Sequence, residues 1–289
     1  MGCNSAIEDR ISISVLIIVC VSLICSLILL VFCILSDILE EFTRKILFYL
    51  SLNTMLRSLV NLMLKIKVMW NACFIIAYLN DVFLVSTVIW ASLIPITLYM
   101  VLVKKKEYND KYYKRGLFFS YVIVSLILAL PFITKNYDRE GEWCTLESNE
   151  RGIIWGLALV YLPSWIMICI VTIFYIKTYF CIKNTTDIKF RSILFERGMI
   201  FSVIIAFTLL PMTIMRIFSL FFSGCMIIYF HSIAYSISHL LGFYNLIALL
   251  MNQNIQKVIK IKLTRNDRER IESHTGATFL ISSSEAKIN

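Results

Sequence analysis

Residues 73–103 read CFIIAYLNDVFLVSTVIWASLIPITLYMVLV, with a single charged side chain, Asp81. A hydrocarbon core of roughly 30 Å is crossed by about 20 largely apolar residues in a helix, and this stretch exceeds that length. Lipid offers no partners for backbone N–H and C=O groups, so only helices and closed barrels span a bilayer. A barrel strand would need about ten residues of alternating polarity. The run is longer and solidly apolar, which predicts a helix.

Six more stretches of the same kind lie on either side of it, at 11–36, 46–64, 116–134, 152–182, 198–223 and 225–252. Apolar residues make up 59% of the 289 and the mean hydropathy is +0.78, against roughly 45–50% apolar in ordinary soluble domains. The expected fold class is an all-α membrane protein, a seven-transmembrane helix bundle at 11–252 between a short N-terminus, 1–10, and a tail, 253–289. Short loops leave almost no mass for a soluble catalytic domain. The first stretch is too long, and flanked by Glu8 and Asp9, for a cleaved signal peptide. At the start, Met1-Gly2-Cys3 is followed by Ala6, where an acylation signal has Ser or Thr.

Lys and Arg concentrate on the cytoplasmic side of membrane proteins. One side of this layout carries nineteen of them, including Arg44, Lys45, Lys104, Lys105, Lys106, Lys189, Arg191 and the tail's basic residues. The other side carries six: Arg10, Lys65, Lys67, Lys135, Arg139 and Arg151. This predicts the N-terminus outside, the tail in the cytoplasm and a multi-pass protein of the plasma membrane. The net charge of +9 reflects that asymmetry and does not point to nucleic acid. The glycosylation triplet Asn184-Thr185-Thr186 falls on the cytoplasmic side, where it would stay unmodified.

Most of the nine cysteines sit inside spans, as small apolar packing residues. Cys73, opening span three, and Cys144, in the outer loop before span five, both face an oxidising compartment in this topology. A bridge between them is the favoured reading and two unpaired thiols the alternative. No Cys/His spacing suggests a metal site, and no catalytic residue or cofactor is assigned.

Ionisable residues within spans are expensive and point to function. Arg57 lies about eleven residues above the start of span two and Asp81 eight below the start of span three. At 1.5 Å per residue these are depths of ~16 and ~12 Å from opposite faces. The two therefore fall at similar levels, where they either form a structural ion pair or make the polar floor of a ligand cavity. Arg216 and His231 lie near the outer ends of spans six and seven and rim the same region, although Arg216 can also snorkel to the interface. Deeper in span seven, His239 is expected to make a helix–helix hydrogen bond. All four prolines, Pro95, Pro131, Pro163 and Pro211, fall inside spans. Pro95, Pro163 and Pro211 are candidate helix pivots, simple tolerance being the alternative.

On the cytoplasmic side Lys104, Lys105, Lys106, Lys189 and Arg191 either only set topology or dock an acidic cytosolic partner. Residues 253–263 alternate Ile, Val and Leu with Gln and Lys, which predicts an amphipathic helix on the membrane surface. The hydroxyl-rich tail beyond it is a place where phosphorylation would add charge.

Seven helices, an outward N-terminus and a cystine from span three to the next outer loop resemble a G-protein-coupled receptor. Leu98-Tyr99-Met100 stands after span three in place of the Asp-Arg-Tyr of the rhodopsin-like class. Span seven has Gly242-Phe243-Tyr244-Asn245 in place of Asn-Pro-x-x-Tyr, and no lysine for a retinal Schiff base. The finer resemblance is to the cyclic-AMP-receptor-like and secretin-like (family 2) receptors. It is carried by Trp90 through Leu98-Tyr99, by Trp143-Cys144, by Pro211 with Ile214 and Arg216, and by Gly242-Phe243-Tyr244-Asn245 before Asn252. Thr145 departs from it, since the family has an aromatic after the loop cysteine. With ten residues ahead of span one, no large hormone-binding domain is expected.

The resemblance implies a receptor that couples an extracellular ligand, expected to be small, to a heterotrimeric G protein without catalysis. Arg57, Asp81, Arg216 and His231 are the ligand-binding candidates. A seven-helix transporter, which would want internal repeats and broken helices, is the alternative. An intramembrane metal hydrolase, which would want three or more ligands, ranks below it.

Overall fold

A computed structural model of the chain describes residues 5–35, 41–63, 72–105, 110–140, 143–147, 149–183, 188–221 and 225–251. The first three spans are single helices, α1 (Ser5–Leu35), α2 (Glu41–Met63) and α3 (Cys73–Leu102). Span four joins α4 (Asp110–Leu117), a π-turn (Phe118–Ile123), α5 (Val124–Leu128) and a 3-10 turn (Leu130–Phe132). A hairpin, β1 (Tyr137–Glu140) and β2 (Trp143–Leu146), leads to span five: α6 (Glu150–Gly156), a second π-turn (Leu157–Tyr161) and α7 (Leu162–Lys183). Span six is α8 (Ile188–Phe218) and span seven is α9 (Cys225–His239) followed by α10 (Leu241–Leu250). The chain divides into two compact units, Met1–Leu246 and Ile247–Asn289, and of the second only the end of α10 and Met251 are described.

Membrane helices sort their residues between neighbours and lipid, and α1 does so cleanly. Val15, Val19, Ser22, Ser26, Leu29 and Cys33 are buried, whereas Ile13, Ile17, Val21, Ile24, Ile28 and Val31 are exposed. Both sets repeat every three or four residues, the spacing of one helix face. The buried face meets α2 and α9. Apolar contact between helices gains little when lipid is the solvent, so close backbone approach and hydrogen bonds carry the packing. Ser26 Oγ donates to Thr54 Oγ1 at 3.1 Å, and the Gly242 N–H donates to Ser22 Oγ at 3.3 Å. A Cβ on Gly242 would stand 2.2 Å from Ser26 Oγ and 2.5 Å from the Ser22 carbonyl oxygen, so only glycine fits there.

At the centre, α3 packs against α2, α7, α8, the hairpin and span four. Its first residue, Cys73, is disulfide-bonded to Cys144 in β2, as the sequence favoured. The hairpin pairs Tyr137 with Leu146 and Arg139 with Cys144. Tyr137 and Leu146 turn inward, onto a core of Val60, Ile76, Ala77 and the two cysteines. The Tyr137 hydroxyl donates to the Leu128 carbonyl at 3.0 Å. Burial, with the carboxyl group of Asp81 adding to it, holds that phenol well above its ordinary range. Asn149 caps α6 by accepting the Gly152 N–H at 2.7 Å.

The helices outrun the expected spans. α1 starts at Ser5 and α8 at Ile188, because neither flank contains the proline that would stop a helix; apolarity marks only the part in lipid. Six described segments are long and apolar enough to cross a membrane, while the apolar part of α8 is shorter, Ser202–Phe218. The prolines differ in setting. Pro95 and Pro211 lie within α3 and α8. Pro131 sits in the 3-10 turn, and Pro163 is the second residue after the second π-turn. A proline ring clashes with the carbonyl four residues earlier, which for Pro163 is inside that widened turn. Lys106, the Asn184 triplet and the amphipathic stretch 253–263 lie outside the described residues.

Candidate functional site

At the hairpin end of the bundle, polar side chains from α2, α3, α8, α9 and span five converge. Arg57 and Asn61 stand one turn apart on α2, and His231, Tyr235, Ser238 and His239 repeat along one face of α9. Asn80 and Asp81 sit two turns below the disulfide on α3, which places them level with Arg57, as the expected depths require.

Partnership differs from expectation. Arg57 is buried, 3% exposed, and all its bonds go to neutral groups. Its Nε donates to Asn80 Oδ1 at 3.0 Å, Nη1 to the Ser238 carbonyl at 3.1 Å and Nη2 to Ser238 Oγ at 2.9 Å. Asn61 Nδ2 donates to the same Asn80 Oδ1 at 2.9 Å and to the Arg57 carbonyl at 2.7 Å, while its Oδ1 accepts from the Tyr235 hydroxyl. Spans two, three and seven are thus stitched by one network. Among the described residues no ion pair joins Asp81 to Arg57. Asp81 and Asn80 are neighbours on the helix but point about 100° apart around its axis, and Asn80 is the one that meets the guanidinium.

Asp81 is half-buried. The cations within electrostatic range of its carboxyl group are Arg216 and then Arg57. Arg216 does not snorkel. It is buried, and its Nη1 donates to the Leu146 carbonyl at 3.0 Å. Nη2 donates to the Thr145 hydroxyl. Span six is therefore fastened to β2, next to the disulfide. Thr145, the residue that departs from the family 2 pattern, supplies one of those contacts. Tyr161, in the second π-turn, lies within electrostatic range of Arg216. His231 stacks on Tyr235 with ring centroids 6.2 Å apart, and Tyr235 lies 4.1 Å from the His239 ring. The expected helix–helix bond of His239 is not formed at Nε2, which is buried and has no hydrogen-bond partner among the described residues.

The four ligand candidates thus fall in one region, with Arg57 and Arg216 engaged with the protein and, among the described residues, no cation in direct contact with Asp81. Sequence reasoning missed Asn61, Asn80, Tyr161, Tyr235 and Ser238, because within the spans it weighed only Asp, Arg and His. Asn61, four residues after Arg57, was the available signal. Among the described residues no three His, Cys, Asp or Glu side chains gather in a way that would hold a metal ion.

At the opposite end, Tyr49 stacks on the fully buried Trp90 at 4.6 Å and 11°, with Tyr113 against both rings. Lys45 lies over the Tyr113 ring. Lys104 and Lys105 are exposed beyond α3, and Lys189 and Arg191 belong to the first turn of α8. A separate cavity of about 550 Å³ lies between spans three, four and five. None of the four ligand candidates lines it.

The sequence matches no protein-family model and no curated protein. Its fold is similar to the crystal structure of squid rhodopsin, with a TM-score of 0.69 over 91% of this chain and 88% of that one, at 14% identity. At that identity the likeness establishes a rhodopsin-like seven-helix fold and nothing finer.

Proposed function

We propose that this multi-pass membrane protein is a cell-surface receptor that couples a small extracellular ligand to a heterotrimeric G protein. The hairpin end faces outward, and the basic end faces the cytoplasm of a cell bounded by the plasma membrane. The observation that carries the reading is the buried polar cluster under the hairpin, in a bundle of this fold. Charged groups inside a membrane are costly to keep. Those of Arg57 are fully used in joining helices, but among the described residues the Asp81 carboxyl group has no direct cationic partner and suits a donor group on a ligand.

Arg216 gives such a ligand something to move. It holds span six to Thr145 and Leu146 while lying within electrostatic range of Asp81. A ligand that occupies Asp81, with His231 beside it, changes the balance of those attractions. It shifts the bundle only by as much as its affinity for two arrangements differs. Pro211, five residues before Arg216, is the pivot for span six, with Pro95 and Pro163 as further pivots. The altered basic end, with Lys104, Lys105, Lys106, Lys189 and Arg191, is what a G protein would read. No catalytic step is needed. Trp90, Trp143-Cys144, Pro211 and Gly242-Phe243-Tyr244-Asn245 support a place near the cyclic-AMP-receptor-like and secretin-like receptors within that class.

The test is ligand-screened G-protein activation in membranes carrying the chain, beside Asp81→Asn and Arg216→Gln variants matched for surface expression. Activation by a defined compound that falls at least tenfold in potency in Asp81→Asn supports the reading. Silence across broad ligand and G-protein panels, with the protein at the surface, would shift the assignment to a transporter.

A further inference from the structure

The cavity between spans three, four and five has a shape and a chemistry of its own. Its α3 wall runs from Val85 to Met100, roughly 22 Å at 1.5 Å per residue, which exceeds the roughly 15 Å of one leaflet's hydrocarbon. Its volume of about 550 Å³ lies within the roughly 300–1,000 Å³ of small-ligand sites. The walls are almost wholly apolar, and of the lining residues Phe119 and Ile127 are exposed on the outside of the bundle, so the opening is toward lipid.

Two local irregularities make the space. Both π-turns among the described residues contribute to it, the first through Phe119 and Ile123 and the second through Leu159. A π-turn inserts an extra residue and displaces the wall, and such turns recur at functional sites. At the basic end Gly116 lets span four close on α3, since a Cβ there would stand 2.8 Å from Leu93 Cδ1.

The polar groups are few and sit at one end. Arg115, at the start of span four, lines the cavity and is exposed; Thr97 lines it from α3. Among the described residues, neither the Arg115 guanidinium nor the Thr97 hydroxyl has a hydrogen-bond or ion-pair partner. The other polar lining side chain, Ser164, is satisfied by donating to the Val160 carbonyl at 2.6 Å. A long apolar slot with one unpaired cation at its interfacial mouth complements an anionic amphiphile whose chain already lies in the bilayer. We propose that this groove binds an anionic phospholipid, with one acyl chain along α3 and the phosphate on Arg115. The binding is independent of the receptor reading and holds equally for a transporter.

The chain itself gains little by leaving bulk lipid for an apolar groove, so the head group decides selectivity. The full-length protein is reconstituted with a phosphatidylglycerol carrying a photoactivatable acyl chain, and labelled peptides are mapped after irradiation. Labelling should concentrate on peptides holding Ile96, Ile123 and Met167. Unlabelled phosphatidylglycerol should compete about fivefold better than phosphatidylcholine, the size of one basic residue near an anionic surface. Arg115→Gln should bring that ratio to about one while groove labelling persists. Ile96→Trp, which fills the slot, should remove groove labelling, with thermal stability recorded for both variants. Label spread evenly over all lipid-facing helices would overturn the proposal. So would an unchanged ratio in Arg115→Gln.

Discussion

The two sides of α3 solve the same problem differently. Toward spans two and seven, Asn80 collects Arg57 and Asn61, and Trp90 stacks on Tyr49. Toward spans four and five, Val85, Ile89, Leu93 and Ile96 border open space. Both sides are covered in water-free surroundings, so apolarity alone does not distinguish them. In a bilayer, lipid competes with neighbouring helices for any apolar face, and hydrogen bonds and close fit decide which wins. The polar side is locked because an unpaired guanidinium there would be far costlier than any rearrangement. The apolar side has little that forces contact, and lipid can take the neighbour's place.

Substitutions on the two sides should therefore differ in cost. Trp90→Ala removes the largest ring on the closed side and should lower stability by about 3–5 kcal/mol, read as thermal unfolding in detergent; a loss no greater than that of Ile96→Ala would erase the distinction. Arg57→Met takes the Arg57 donors from the Ser238 carbonyl and hydroxyl and leaves Asn80 Oδ1 with Asn61 alone, and should cost about 2–3 kcal/mol. Combining it with Asn80→Leu sharpens the comparison. Removing both partners should cost less than the sum of the single changes, and simple additivity would argue against a shared network.

Tyr137→Phe, beside the disulfide, loses one hydrogen bond and about 1 kcal/mol. The same residue sets a pH signature. Its phenol is held above its ordinary range in the folded protein, so the folded state keeps a proton that the unfolded state releases above about pH 10. Stability is then level below that point and falls as pH rises beyond it; this alkaline component should be smaller in Tyr137→Phe. The smallest effect is expected on the open side, where Ile96→Ala enlarges an existing cavity and should cost under about 1 kcal/mol, since lipid refills it.

Depth along a helix was legible in the sequence, and rotation about it was not. Counting residues put Arg57 and Asp81 level, but whether Arg57 meets Asp81 or its neighbour Asn80 turns on an angle that only packing sets. The disulfide was legible because both cysteines lie at one end of the layout. The hairpin was not: its four-residue strands are too short to show alternation. Thr145 reads as a lapse from a family pattern until Arg216 is seen beside it. Ile96, Ile123 and Met167 read like any lipid-facing residues, and nothing local announces that three spans leave room among them. Of the two π-turns, only the one before Pro163 left a trace.

Cys73 and Cys144 are 71 positions apart, so their bond closes a covalent ring around α3, the connection after it, span four and the hairpin. Lys104 and Lys105 stand exposed on that ring. A single tryptic nick there opens the ring but does not sever the molecule. On a gel without reductant the clipped protein should still run as one species, and with reductant it should part into two fragments. Breaking the backbone at this point is thus survivable in a way that a nick outside the ring is not, and the cystine acts as a second spine for the middle of the chain.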